Sequence, residues 1–546
     1  MSQTRYPQFV WQQTKPGHWE REIDEAERFY TCLAKSFEVS GRMFFAITGF
    51  VSISVEITDS STDKEVEEAL RKAWLRLRYD CPTIGSHVDY NSEKGKYIKS
   101  YTAFDPEHLE LHTKSWLSKT FVPLNPNMSG LDWCNSDPPA PKIPTLFIMT
   151  PPSTSGSERH VVYRDIVLRS PHDISKYCKA HAHQQATDQG TLVVDGIGTL
   201  QLLNKLLQYA AQYHENPSSF ELPPPGSESQ NLSPPLRVAA SIPPILTLDE
   251  QKRLQSVISR NAELREDVEL LTVPFTQGQV VPGKHQRTAL ALSSVDTARV
   301  LQACKELGAT VTHVYHASIA LIIRDLQPPR PQSRTARYIN YCLVNERPQC
   351  DAPYNSSDYA ASVYHSVSGN SLTLDLTIPS ITDSSDQNYA NPKVARMEFR
   401  TLTKQVRDFY TSIRNAPENL ALAPAFWSMG TPDVLNPTSE SSSVPPPNPS
   451  PSVSISSMGN LDKVVAPQYG AFGAKDPWVT GEELGSGIGV FLGTWQGRLQ
   501  LSAAYNEAWH DREEVRGFLM GCSETAWRGL GLGDDAGGEP QTEWLH

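Results

Sequence analysis

The sequence predicts a mixed chain, α/β or two-layer α+β, built as two related lobes. Helical and extended apolar patterns alternate along both halves. A Pro-rich stretch from Glu215 to Pro244 divides the chain near its middle. Hydrophobic residues make up 39% of 546 positions and charged residues 20%, enough apolar material for a large core.

The elements follow in order. Phe44 to Ile57 is a β-rich run. Thr62-x-x-Glu65 is a capping box, and Val66, Ala69, Leu70, Ala73, Trp74 and Leu77 then fall on one helical face. His160 to Leu168 reads as a strand, with Val162, Ile166 and Leu168 apolar. Gly198 to Tyr213 reads as a helix with Leu203, Leu206, Leu207 and Ala210 on its stripe. Val295–Leu307 and Val311–Arg324 are two more helices. Ile488–Trp495 and Arg498–Tyr505 form a hairpin across Gln496-Gly497.

These elements suggest an N-terminal lobe over 1–220, a Pro-rich linker over 221–244 and a C-terminal lobe over 245–530. Within the second lobe, 431–454 is rich in Ser and Pro and is expected to be a disordered loop. Residues 531–546 are Gly-rich and acidic and are expected to fray. Tyr469-Gly470-Ala471-Phe472-Gly473 reads as a plain loop.

Composition excludes several classes. The net charge is −12, with no basic run to hold nucleic-acid phosphates. No apolar stretch is long enough for a membrane span, and Met1 to Trp11 has no apolar signal core. The eight cysteines are scattered without a C-x-x-C pair, so they read as reduced thiols and the expected location is cytoplasmic. His313 and His316 sit three apart on an apolar helix but lack a third ligand, so they read as packing residues and no metal site is expected.

The chemistry concentrates between Ser170 and Leu203. Ser170-Pro171-His172-Asp173-Ile174 ends a strand, and Asp195-Gly196-Ile197-Gly198-Thr199-Leu200 opens a helix. Each is half of an H-x-x-x-D-G motif, yet His172 and Asp195 stand 23 positions apart. Either the site has lost its base, or an intact motif carries an insertion. Ser175-Lys176-Tyr177 can be encoded A-GTAAGTA-C, which contains an intron donor, and Val193-Val194 as GTA-GTC, which supplies a terminal TAG. Joining the flanks leaves ATC, an isoleucine, and removes 19 residues, or 57 nucleotides, in frame. Residues 175–194 are therefore read as largely a translated retained intron, an expectation about permitted codons. His181 and His183 fall inside that segment.

With the motif closed, the sequence resembles the fungal trichothecene O-acetyltransferases of the 15-O-acetyltransferase type, within the H-x-x-x-D acyltransferase and condensation-domain superfamily. The resemblance includes Trp19, Arg21 and Asp24-Glu25-Ala26-Glu27, then Gly308-Ala309-Thr310-Val311-Thr312. It continues through Val344-Asn345-Glu346-Arg347-Pro348 and Tyr364-His365-Ser366-Val367-Ser368-Gly369 to Tyr505-Asn506-Glu507. It implies two chloramphenicol-acetyltransferase-like lobes forming a central tunnel. It implies a monomeric acetyl-CoA-dependent O-acetyltransferase that esterifies a hydroxyl of a fungal secondary metabolite, a trichothecene-like sesquiterpenoid or other terpenoid. Acetyl-CoA is then a co-substrate and no cofactor stays bound.

His172 would be the general base, since an unperturbed imidazole titrates near neutrality. Asp195 would be structural and paired with Arg347, and Gly196 would let the backbone turn tightly. Ser457 and Asn460, at the end of a strand, are candidate oxyanion donors. If the 23-residue separation is taken at face value, the alternative is a repurposed cyclase of Diels–Alderase type or an inactive homologue.

Overall fold

The computed structural model describes residues 5–56, 63–124, 127–151, 161–170, 194–381, 392–434, 443–450, 452–533 and 538–545. His172, His181 and His183 lie outside the described residues, as does the suspected insert apart from Val194. The described part is a mixed α/β fold.

Two sheets carry it. The larger has six strands in the order Gln468–Tyr469, Phe472–Gly481, Ile47–Glu56, Val161–Ser170, Thr145–Met149 and Phe121–Pro123. The other has five, in the order Val453–Asn460, Ile488–Trp495, Arg498–Asn506, His285–Leu292 and Thr542–Leu545. Each buries one core. In the first, the Asp63–Asp80 and Gly196–Glu215 helices pack on the sheet, and Val66, Leu70, Trp74, Leu203 and Leu207 are fully buried. In the second, the Val311–Asp325 and Arg512–Gly529 helices cover Leu290, Leu501 and Val490.

The expected helices and strands are present with shifts of a few residues, and Thr62, the expected cap of the Asp63–Asp80 helix, lies outside the described residues. The hairpin turn at Gln496-Gly497 has φ of 45° and 72°, the left-handed pair that a tight two-residue hairpin requires. Glycine suits the second position because it pays no Cβ penalty.

Four boundaries differ from the sequence reading. The Pro-rich segment 221–244 is a packed strap: Leu232, Leu236, Val238, Ala239 and Ile242 are buried. Its carbonyls are met by side chains, Trp11 Nε1 donating to Ser233 O at 2.9 Å and Tyr364 Oη to Pro234 O at 2.9 Å. Proline removes a backbone donor but not an acceptor, so such a strap can pack wherever donors from elsewhere reach it. The end of the chain does not simply fray either. Thr542–Leu545 pairs antiparallel with His285–Leu292, and Trp544 lies under Arg516 at 4.5 Å.

The segment 431–454 reaches into a strand that begins at Val453, and Ser486 Oγ donates to Asn448 O at 3.0 Å. Residues 435–442 and 451 lie outside the described residues. Finally, Tyr469 and Phe472 are not loop residues. They flank the turn of a hairpin that completes the first sheet from the second half of the chain.

Candidate active site

Asp195 is the centre of the described site. It caps the Gly196–Glu215 helix: its Oδ1 accepts from Gly198 N at 2.8 Å, satisfying an otherwise orphaned donor. Its Oδ2 accepts from Arg347 Nη1 at 2.8 Å and from Tyr364 N at 2.9 Å. The Asp195 N–H donates to Ser362 O at 3.1 Å. The carboxylate is 6% exposed and Arg347 5%, so the pair is fully desolvated. Burial pushes the Asp195 carboxyl up, but the Arg347 guanidinium and the bonds from its neighbours outweigh it and hold the group well below the usual carboxylate range.

The sharp steric requirement falls on Gly198 rather than Gly196. A Cβ on Gly198 would stand 2.2 Å from Ala360 O and 2.9 Å from Arg347 Nη2. A Cβ on Gly196 would meet nothing nearer than Met458 Cε at 3.3 Å. Gly196 is already the first helical residue and is not among the residues with left-handed φ. The tight turn expected of it is therefore absent, and the glycine that makes room for the ion pair is two positions on.

Position relative to the strand end follows from packing. Thr199 Cγ2 lies where a Cβ of Gly49 would sit, at 2.3 Å, and Gly49 is the strand partner of Leu168. The first turn of the helix thus rests on the sheet beside the end of Val161–Ser170, the strand that leads into His172. Ser170 is fully buried, and its Oγ has no hydrogen-bond partner among the described residues. Val194 is buried in the same core.

The two oxyanion candidates are exposed and already engaged. Ser457 Oγ meets Thr312 Oγ1 at 2.8 Å, and Asn460 Oδ1 accepts from Asp462 N at 2.9 Å, capping a short turn. From that strand end it is Met458 that reaches the helix start, beside Gly196. His313 and His316 are packing residues in the structure. His316 is bound through both ring nitrogens to Tyr338 and Tyr410, at 3.0 and 3.2 Å. Among the described residues no group of three or more His, Cys, Asp or Glu could hold a metal ion. No helix among them is long and apolar enough to cross a membrane.

The sequence reading assigned nothing to His365. Its Nδ1 faces Asp195 Oδ2 at 3.7 Å, and its Nε2 meets Tyr30 Oη at 2.7 Å. Trp427 stacks edge-on against the ring at 5.5 Å. His365 opens the His365–Val367 strand, directly after the Tyr364 N–H that binds Asp195. Tyr30 is carried by the Glu25–Ser36 helix, whose start is fixed by a capping box between Asp24 and Glu27. Glu27 in turn takes Arg21 at 2.6 and 2.7 Å and Lys99 at 2.7 Å. The Arg21 and Asp24–Glu27 segment therefore fixes the start of the helix that carries Tyr30. A surface cavity of about 560 Å³ is lined by Asp24 and Glu25, and neither it nor a second of about 540 Å³ includes Asp195, Arg347, Tyr30 or His365.

Comparison with known proteins follows the same lines. No family model matches the chain. It is 25% identical to the O-acetyltransferase pigM of Monascus ruber over 520 residues, covering 94% of this chain and 85% of that protein. It is 21% identical to the acetyltransferase pigO of the same organism over 541 residues, covering 96% and 99%. The solved trichothecene 15-O-acetyltransferase of Fusarium sporotrichioides superposes with a TM-score of 0.73 at 15% identity, over 96% of this chain and 98% of that one. The chain thus has the fold of that acetyltransferase, with two chloramphenicol-acetyltransferase-like lobes.

Proposed function

We propose that the protein is an acetyl-CoA-dependent O-acetyltransferase acting on a hydroxyl of a fungal secondary metabolite. The observation that carries this reading is the Asp195 anchor. A buried carboxylate caps the helix, pairs with Arg347 and stands beside the end of the strand that leads to His172. The likeness to two acetyltransferases over nearly the whole chain supports the same chemistry.

In the mechanism, the hydroxyl loses its proton to a base and attacks the thioester carbonyl of acetyl-CoA. The C–S bond breaks, and the CoA thiolate recovers the proton. His172 is the base in the form that lacks 175–193, where His172-x-x-x-Asp becomes contiguous and the joined isoleucine takes the apolar place of buried Val194. Such a base contributes about 10²–10⁴ in rate. Asp195 and Arg347 hold the turn without touching substrate. Ser457 and Asn460 are proposed oxyanion donors, Ser457 by turning its hydroxyl from Thr312 and Asn460 through its Nδ2, since its present bond engages only Oδ1. The acceptor is a terpenoid alcohol of the trichothecene type, and the working unit is one chain.

The test begins with the mature transcript across codons 170–200. A message lacking 57 nucleotides there is expected, and the protein made from it should acetylate a trichothecene alcohol faster than the 546-residue form, by about 10²-fold for a misplaced base. Equal rates for the two forms would refute the role given to the contiguous motif.

A further inference from the structure

The short ribbon that carries His365 has one open face, and that face looks onto the site. Along 341–346 exposure alternates: Tyr341, Leu343 and Asn345 are exposed, while Cys342 and Glu346 are buried. Asn345 pairs with His365 and Leu343 with Val367, and directly opposed residues share a face. A bond from Ser368 N to Cys342 O at 2.9 Å extends the ribbon toward Tyr341. Tyr30 and Trp427 pack over the His365 and Val367 end of this face. At the other end Tyr341 and Leu343 each keep 39% of their surface accessible.

Burial pushes the Tyr341 phenol up although its surface is accessible, so that surface faces an enclosed space and not bulk water. Among the described residues nothing bonds to its hydroxyl; its backbone N–H donates to Asn340 Oδ1 at 2.8 Å. Tyr341 lies within electrostatic reach of Tyr30 and of Glu483. Glu483 leaves the same sheet end as His172, because Gly481, Ile47 and Ser170 are aligned across three strands. Its Oε1 accepts from Gly485 N at 2.8 Å, and burial pushes its carboxyl up to about 8, so at neutral pH it is an O–H donor. Phe45, half-buried beside them, has φ of 65°, a costly conformation for an aromatic residue. Its N–H donates to Glu482 O at 2.9 Å, and its ring stands 6.2 Å from that of Tyr30. Strained residues of this kind cluster where a side chain is aimed at a ligand.

We propose that Phe45, Tyr341 and Leu343 form the wall that holds the ring system of the acceptor alcohol beside the Asp195 site, with Tyr341 Oη bound to a second oxygen of that acceptor. This rests on the acyl-transfer reading above and narrows its substrate class. A mostly apolar wall with a few placed polar groups is the lining of a small-molecule site. Its continuity with His365 on one ribbon face puts it next to the reacting centre. The acceptor is therefore a ring-bearing alcohol with at least two oxygens, one esterified and one held. Glu483 supplies a further donor across the same space. Tyr341 sets which alcohols fit and takes no part in proton transfer.

The test measures acceptor affinity by calorimetry and thiol release from acetyl-CoA, on the 546-residue chain and on the form lacking 175–193. Two acceptors are compared: a trichothecene bearing a free 15-hydroxyl, and a cyclic sesquiterpenoid with one hydroxyl and no other oxygen. Tyr341→Phe removes a hydroxyl that no described residue bonds, so the fold stands. It should weaken Kd for the trichothecene by about three- to tenfold and for the mono-alcohol by less than about twofold. Leu343→Asn, at an exposed position, should weaken both by about threefold or more. An equal loss for the two alcohols in Tyr341→Phe, or none for the trichothecene, overturns the oxygen contact. Affinities unchanged in both variants overturn the wall and leave acyl transfer standing. A parent chain that releases no thiol, in either form and with either acceptor, overturns acyl transfer and the inference with it.

Discussion

Two histidines, His316 fully buried and His365 half-buried, each bonded to a tyrosine hydroxyl, sit in different surroundings. His316 lies in the second core with Tyr338 on one nitrogen and Tyr410 on the other. Burial pushes its pKa down to about 3. His365 has Tyr30 on one nitrogen and the Asp195 carboxylate before the other. An imidazole closed between two neutral hydroxyls has nothing to balance a positive charge, so it stays neutral and acts as a spacer. The second imidazole instead stands beside a carboxylate that Arg347 holds ionised. The difference lies in the partner: neutral hydroxyls on both nitrogens of one ring, an ionised carboxylate before a nitrogen of the other.

The comparison breaks most sharply at Asp195. Asp195→Ala leaves the Arg347 guanidinium buried with a carbonyl contact to Ala360 at 3.5 Å in place of its counter-ion. It should cost about 3–5 kcal/mol in denaturant unfolding. Gly198→Ala forces a methyl against Ala360 O and should cost about 1–3 kcal/mol, while Gly196→Ala should stay below about 1 kcal/mol. Equal costs at the two glycines would contradict the steric assignment.

On the other side of the comparison, His316 should make the chain acid-sensitive. Its folded pKa of about 3 lies below the unfolded value of 6.5, so the unfolded state binds the proton first. Stability is complete above pH 6.5 and is lost as pH falls toward 3, at a cost of about 1–2 kcal/mol by pH 5. His285, pushed by burial to about 3 as well, adds in the same sense. His316→Gln should remove its share of that slope, seen as a flatter Tm against pH. The smallest effect belongs to Asn460→Ala, a cap on a three-residue turn. It should lower stability by about 1 kcal/mol or less.

Much of the frame was legible in the sequence for local reasons. The Asp63–Asp80 helix shows its buried face in a simple period, and the Gln496-Gly497 turn announces its hairpin. Asp195 could be placed at a helix start, and Arg347 named beside it, because both lie in recognisable segments. His365 and Tyr30 could not be brought together. They lie far apart in the chain, on a three-residue strand and on a helix of the other half, and meet only through tertiary packing. His365 even lies within the Tyr364-His365-Ser366-Val367-Ser368-Gly369 segment, but nothing in its neighbours' chemistry points to a carboxylate. Gly198 escaped for a similar reason: its need comes from the backbone of Ala360. The short Thr-Glu-Trp-Leu strand was hidden by the Gly-rich, acidic stretch before it.

The strand order of the first sheet has a consequence for synthesis on the ribosome. Ile47–Glu56 is a ten-residue, largely apolar strand, and the neighbour on one side of it is Phe472–Gly481. Until translation has passed Gly481, that edge has no partner, and exposed apolar edges recruit other chains. A message cut short in the second half would release an adhesive half-sheet instead of a free-standing lobe. Conversely, fragments 1–244 and 245–546 made together should recover solubility by supplying the missing strand to each other.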